Sequence, residues 1–169
     1  MLRLFKPCFL LLIFIALLSS CNPKDNAEIE KSASVFDIAQ GKASITQSNL
    51  NFMKAFSAGD SSGVTDSYAK DAKIMPPGKS VITGKLEIKK YLSDLMNSPV
   101  KNFKLTTINV WGDSSILAEE GTYVLSDSAE VQIDKGEYLV LWKPEAGNWK
   151  MFRDIWTSDL PIVGDLPKE

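Results

Sequence analysis

The chain has 169 residues, of which 44% are hydrophobic and 24% charged, with a formal net charge of −2, two cysteines and no histidine. Without histidine the usual general base near neutral pH and the commonest metal ligand are missing, so no metal and no cofactor is expected. A mildly acidic chain with no basic cluster argues against nucleic acid as a partner.

At the amino terminus Arg3 and Lys6 precede an apolar run, FLLLIFIALL (Phe9–Leu18), followed by Ser19, Ser20 and Cys21. Ten such residues would reach about 15 Å as a helix, half of a bilayer core of roughly 30 Å, so the pattern reads as a targeting signal rather than a permanent span. The tetrapeptide LSSC (Leu18–Cys21) resembles the lipobox of bacterial lipoproteins. That resemblance implies lipid on the Cys21 thiol, cleavage ahead of it and acylation of the new amino terminus; an ordinary secretory signal is the plainer alternative. The expected organisation is a signal over 1–20, a polar tether over 21–34, one domain over 35–161 and a tail over 162–169. The expected location is the bacterial cell envelope, lipid-anchored at the outer membrane, because several acyl chains at one end hold a protein stably. Cys8 would leave with the signal and Cys21 would carry lipid, so the domain would keep no thiol for a disulfide, a metal or nucleophilic attack.

In the domain, Val35, Ile38, Ile45, Phe52, Met53 and Phe56 recur at helical steps. Gly41 weakens that helix and predicts a start near Ala43. Ala58–Asp60 ends it, and Asp60 is placed to cap a second helix reaching Tyr68. Ala72–Met75 reads as a short strand stopped by Pro76–Pro77–Gly78. A third helix is predicted over Lys85–Met96, with Ile88, Leu92, Leu95 and Met96 on one stripe and Lys85, Lys89 and Lys90 in solvent. Beyond Pro99 the period falls to two. Strands are predicted over Phe103–Trp111, Ile116–Leu125, Glu130–Trp142 and Trp149–Thr157, separated by WGDSS (111–115), SDSA (126–129) and PEAGN (144–148). The fold class is α+β: three N-terminal helices packed on a curved, mainly antiparallel four-stranded sheet, plus one short strand.

The order of these pieces and their wording resemble the nuclear transport factor 2-like superfamily, in particular its ketosteroid-isomerase-like and SnoaL-like branches. The resemblance is carried by AFSAGDSSGVTDSYAKDAKIMPPG (55–78), VITGKLEIKKYL (81–92), EEGTYVL (119–125) and KGEYLVLWKPEAGNWKMFRDIWTSDLP (135–161). It implies a cone in which the sheet wraps the helices and leaves a mostly apolar pocket open at one end. It also implies where the steroid isomerases keep their proton-moving groups: a helix tyrosine, a base just before the turn proline, and a strand acid held neutral. The first position is Phe52 here and the second is Pro76, neither of which can move a proton; the third falls near Glu137 or Tyr138. The dehydratase branch needs histidine, which is absent. Tyr68 and Asp71 are accordingly read as structural, Tyr68 packing the second helix inward and Asp71 bonding backbone in the turn.

By the same resemblance Phe152, Asp154 and Trp156 face the pocket from one side of the last strand, with Trp149 and Met151 on the other. Asp154 is the best single catalytic candidate, an acid on an apolar wall; a carboxylate satisfied by Arg153 or by a tyrosine hydroxyl is the alternative. Tyr138, Val140 and Trp142 share one strand face, and Glu119, Gly121 and Tyr123 share another. The expected ligand-pocket set is Phe52, Phe56, Met75, Tyr123, Tyr138, Trp142, Phe152, Asp154 and Trp156. Three functions stay open: non-catalytic binding of a small apolar or amphipathic molecule, an isomerase, dehydratase or hydrolase using a carboxylate base, and an interaction scaffold that dimerises through its sheet.

Overall fold

Three helices and six strands make up residues 36–160, the part of the chain that the computed structural model describes. The expected signal, Cys21, the tether and the tail over 162–169 lie outside the described residues. Among the described residues no helix is long and apolar enough to cross a membrane.

Helix α1 (Ile38–Ser57) opens at Asp37, whose carboxylate accepts from Ala39 N at 2.9 Å and so satisfies one of the free amides of the first turn. It starts earlier than Gly41 led us to expect. Gly41 is buried where α1 meets the sheet, and a Cβ there would stand 2.8 Å from Leu117 Cδ1 and 3.1 Å from Phe36 Cζ. The position trades about 1 kcal/mol of helix propensity for that close approach. Ile45, Asn49, Phe52 and Phe56 form its buried stripe. Asp60 caps α2 (Ser61–Asp66) as expected, accepting from Ser62 N at 3.1 Å and Gly63 N at 2.9 Å.

The second helix ends before Tyr68, contrary to expectation. Tyr68 opens strand β1 (Tyr68–Met75), which pairs with β2 (Ile82–Thr83) on one side. On its other side it runs parallel to β6 (Asn148–Trp156), with Tyr68 opposite Met151. Local pattern in YAKDAK favours no strand; a partner more than 80 positions away in sequence makes it one. Helix α3 (Lys85–Met96) has the expected bounds and buries Ile88, Leu92 and Met96.

The expected antiparallel meander is present as β3 (Asn102–Gly112), β4 (Leu117–Ser126), β5 (Gln132–Glu145) and β6. The sheet as a whole is nevertheless six-stranded and mixed, in the order β2-β1-β6-β5-β4-β3. Four strands plus one short one therefore undercount it: the short strand expected over Ala72–Met75 is the end of a longer β1 that joins the sheet through the parallel β1–β6 pairing, and β2 adds a sixth.

The break expected over 144–148 is also shorter. Only Ala146 and Gly147 lie outside the strands, with φ of 51° and 79°, the two positive angles that a tight hairpin of this hand requires. Pro144 then falls one pair beyond the hairpin's closing pair, Glu145 with Asn148, where its missing N–H points away from β6 toward a side that β4 has already left.

Candidate functional site

Strand β4 alternates without interruption, so Leu117, Glu119, Gly121, Tyr123 and Leu125 all turn inward. On β5, Gly136, Tyr138, Val140 and Trp142 do the same. Strand β6 does not keep strict alternation. Met151 pairs with Trp142 while Arg153 pairs with Leu141, which leaves Phe152 as an extra residue, a β-bulge that reverses parity along the strand. Met151, Asp154 and Trp156 consequently share the inner face, whereas Phe152 is turned out, 3.6 Å beneath the Arg153 guanidinium and 4.6 Å from Lys143 Nζ. The expectations that Phe152 faces the pocket and that Met151 opposes Asp154 are corrected by that one residue.

Cross-strand pairing lines up the inner wall in rows: Leu117, Trp142 and Met151; then Glu119, Val140 and Asp154; then Gly121, Tyr138 and Trp156. At two strand spacings, the Glu119 and Asp154 Cα atoms stand about 10 Å apart. Glycines sit beside the large rings. A Cβ on Gly121 would overlap the Tyr138 ring, and one on Gly136 would stand 3.0 Å from Tyr123 Cε1. Between this wall and the helices lies a cavity of about 730 Å³, within the size range of small-molecule sites. Phe52, Leu92, Leu95, Phe103, Leu105 and Val140 give it an apolar lining.

Two polar clusters interrupt that lining. The first centres on Glu119, which is 0% exposed. Its Oε1 accepts from Asn49 Nδ2 at 2.7 Å, Thr107 Oγ1 at 2.6 Å and the Tyr138 hydroxyl at 2.8 Å, and its Oε2 accepts from Trp142 Nε1 at 2.9 Å. Burial, and then the adjacent Glu119, push the Tyr138 hydroxyl well above its ordinary range. The second cluster is Asp154 with Tyr68, whose hydroxyl donates to Asp154 Oδ2 at 2.7 Å. Asp154 keeps partial exposure because the cavity reaches it, yet protein surrounds it closely enough that burial pushes its carboxyl up to about 6. The Tyr68 hydrogen bond opposes that rise and the charge of Glu119 adds to it. Burial also raises the Tyr68 hydroxyl, with Asp154 reinforcing the shift. Nearer the rim, the Tyr123 hydroxyl is 3.0 Å from Asp134 Oδ2 and 2.8 Å from Thr157 O.

Of the nine residues expected to line the pocket, Phe52, Tyr123, Tyr138, Asp154 and Trp156 do so. Phe56 and Trp142 are buried behind the wall, Phe56 against Phe103 at 5.3 Å between ring centres. Met75 turns away from the cavity because its neighbour Ile74 takes the buried face. Tyr68 is a pocket residue on a strand, not helix packing. Asp71 serves no turn; it pairs with Lys143 at 2.6 Å on the outside of the sheet. Glu119, Asn49, Tyr91 and Phe103 line the cavity without having been in the expected set. For two of them a signal existed: Glu119 is the one charged residue on an otherwise apolar face of β4, and Asn49 falls on the apolar stripe of α1. Among the described residues, no group of three or more acidic or cysteine side chains is placed to hold a metal ion.

Residues 47–156 match the sequence profile of the nuclear transport factor 2 (NTF2) domain. No curated protein matches the chain. Among solved structures, a protein of unknown function from Mycobacterium tuberculosis aligns with a TM-score of 0.63 at 15% identity, over 74% of this chain and 75% of that one. An NTF2-like protein with a cystatin-like fold from Novosphingobium aromaticivorans gives 0.64 at 11%, over 75% and 86%. A ketosteroid isomerase-like protein from Erwinia carotovora atroseptica gives 0.59 at 20%, over 70% and 96%. At these identities the likeness is one of fold.

The raised Asp154 carboxyl makes stability depend on pH in a set direction. Between its ordinary value of 3.8 and about 6, the folded chain holds this proton more tightly than the unfolded chain, so rising pH costs stability across that window and no further above it. The full effect is roughly 3 kcal/mol at 1.36 kcal/mol per pH unit. Asp154→Asn cannot titrate and retains an acceptor for Tyr68. Urea unfolding should show the variant gaining on the wild type from pH 4 to pH 6, with a constant advantage above; a difference independent of pH would refute the assignment.

Proposed function

The chain belongs to the nuclear transport factor 2 (NTF2) domain family, and from that premise we propose that its hollow holds a small, mainly apolar molecule with one polar end, without transforming it. The supporting observation is the cavity of about 730 Å³, apolar around most of its wall and polar where Tyr68 meets Asp154. A scaffold that acted only through its outer surface would have no use for such a hollow, whose lining forgoes packing contacts. The proton-moving positions of the steroid isomerases favour the same reading. Phe52 lines the cavity without a hydroxyl, and Pro76, which is buried, offers no side-chain acceptor. The neutral dye N-phenyl-1-naphthylamine should bind one per chain with enhanced fluorescence, and Leu105→Trp, which extends an indole into the hollow, should weaken it at least about tenfold, or 1.4 kcal/mol. Dye binding indifferent to that substitution would rule the cavity out as its site.

One observation supports catalysis as a second reading. A carboxyl raised to about 6 and held by a tyrosine is poised to take up or release a proton near neutral pH. An extract of the host's small molecules, incubated with the protein, should then show a metabolite that the wild type converts and Asp154→Asn leaves alone. If no metabolite changes, the binding reading stands alone.

We further propose that the domain is tethered in the cell envelope through lipid on Cys21, a reading supported by the LSSC sequence and the short apolar run before it. Cys21→Ala should move the protein from the membrane fraction to the soluble fraction. Membrane retention unchanged by the substitution would dismiss the anchor.

A further inference from the structure

The described residues around the cavity include three carboxylates, Glu119, Asp134 and Asp154, and not one lysine or arginine. The donors nearest those acids are already engaged. Tyr68 donates to Asp154, while Tyr138, Thr107, Trp142 and the Asn49 amide all donate to Glu119. A hydroxyl carries a single proton, so an engaged tyrosine has none left for a ligand. What remains at this wall is acceptors. Asp154 Oδ1 has no hydrogen-bond partner among the described residues, since Tyr68 takes only Oδ2. Asn49 is 4% exposed and its Oδ1 is buried with no partner, because Glu119 fixes the amide with its nitrogen toward the carboxylate. The uncommitted side-chain donors stand apart from Asp154 and Glu119 in the hydrogen-bond pattern: the Thr157 hydroxyl, which accepts from Glu137 N, and the Tyr91 hydroxyl and Trp156 indole N–H, on rings that pack together 6.2 Å apart with Lys79 lying over Tyr91.

Resting on the pocket reading above, we infer that the hollow selects molecules whose polar end donates hydrogen bonds and carries no negative charge, an alcohol or a protonated amine, and rejects carboxylates. An anionic head placed against Asp154 would meet like charge in a poorly screened interior and acceptors where it needs donors. A hydroxyl or ammonium supplies what the wall lacks. The apolar remainder of the ligand packs on Phe52, Phe103, Leu105 and Trp156. Fatty acids and other anionic amphiphiles are thus the wrong chemistry for this cavity, although their chains would fit its lining.

The test compares three probes that share one chain and differ only in the head: 1-octanol, octylamine and octanoate. Isothermal titration calorimetry at about pH 7.5 keeps the amine and the carboxylate charged. Octanol and octylamine should bind, with octanoate weaker by about tenfold or more, as like-charge juxtaposition demands. Asp154→Asn, which removes one negative charge, should narrow the gap between octanol and octanoate at least about threefold. Octanoate binding as tightly as octanol, or a gap unmoved by Asp154→Asn, overturns the inference while leaving a binding pocket in place. Failure of all three probes, together with failure of the neutral dye, counts against the pocket itself and takes the inference with it.

Discussion

A carboxylate withdrawn from water must be met by donors, and the four donors that meet Glu119 come from three different elements of the chain. Asn49 is on α1, Thr107 on β3, and Tyr138 and Trp142 on β5, while Glu119 itself belongs to β4. Burying that charge without them would be prohibitive, so the group acts as a fixed point to which helix and sheet must both conform. The arrangement matters because the space beside it is hollow. Where a cavity separates helix from sheet, ordinary side-chain packing cannot set their spacing, and a directional polar cluster at its edge can.

The hollow then follows from sizes along the rows of the sheet. Gly121 and Gly136 sit next to Tyr138 and Tyr123, so the rings lie against the wall instead of crossing the interior. Large residues at the glycines would drive those rings into the space they line. Asp154 owes its chemistry to the same geometry. It is enclosed enough for its proton to be held up to about 6, yet open to the cavity and therefore available to whatever enters.

Much of this was legible in the residues, and what was not has a physical cause. The capping of α2 by Asp60, the bounds of α3 and the inward faces of β4 and β5 follow from short-range pattern alone. Parity failed on β6 because Phe152 is one residue too many; β3 breaks alternation in the same way, its register shifting between Thr107 and Asn109, with Ile108 exposed and Val110 buried. A bulge inserts a residue without any signal in hydropathy, and every position beyond it changes sides. Tyr68 eluded the reading for another reason. Its strand is made by pairing with Met151, and its hydroxyl partner Asp154 is 86 positions away, a relation that no local window contains. Gly41 misled in the opposite direction, its low helix propensity being outweighed by close contact with Leu117.

The place of β6 in the sheet governs the order in which the molecule can be assembled. It is the last strand among the described residues, yet it lies between β1 and β5. The hairpins from β3 to β5 can form as soon as they are synthesised, but β1 has no parallel neighbour until β6 emerges. Closure of the sheet therefore waits on a pairing between distant parts of the chain, Lys73 with Arg153 and Tyr68 with Met151, the slow, entropically expensive kind of contact. Until then the β1 edge stands unpaired on one side, open to wrong partners for as long as β6 is missing.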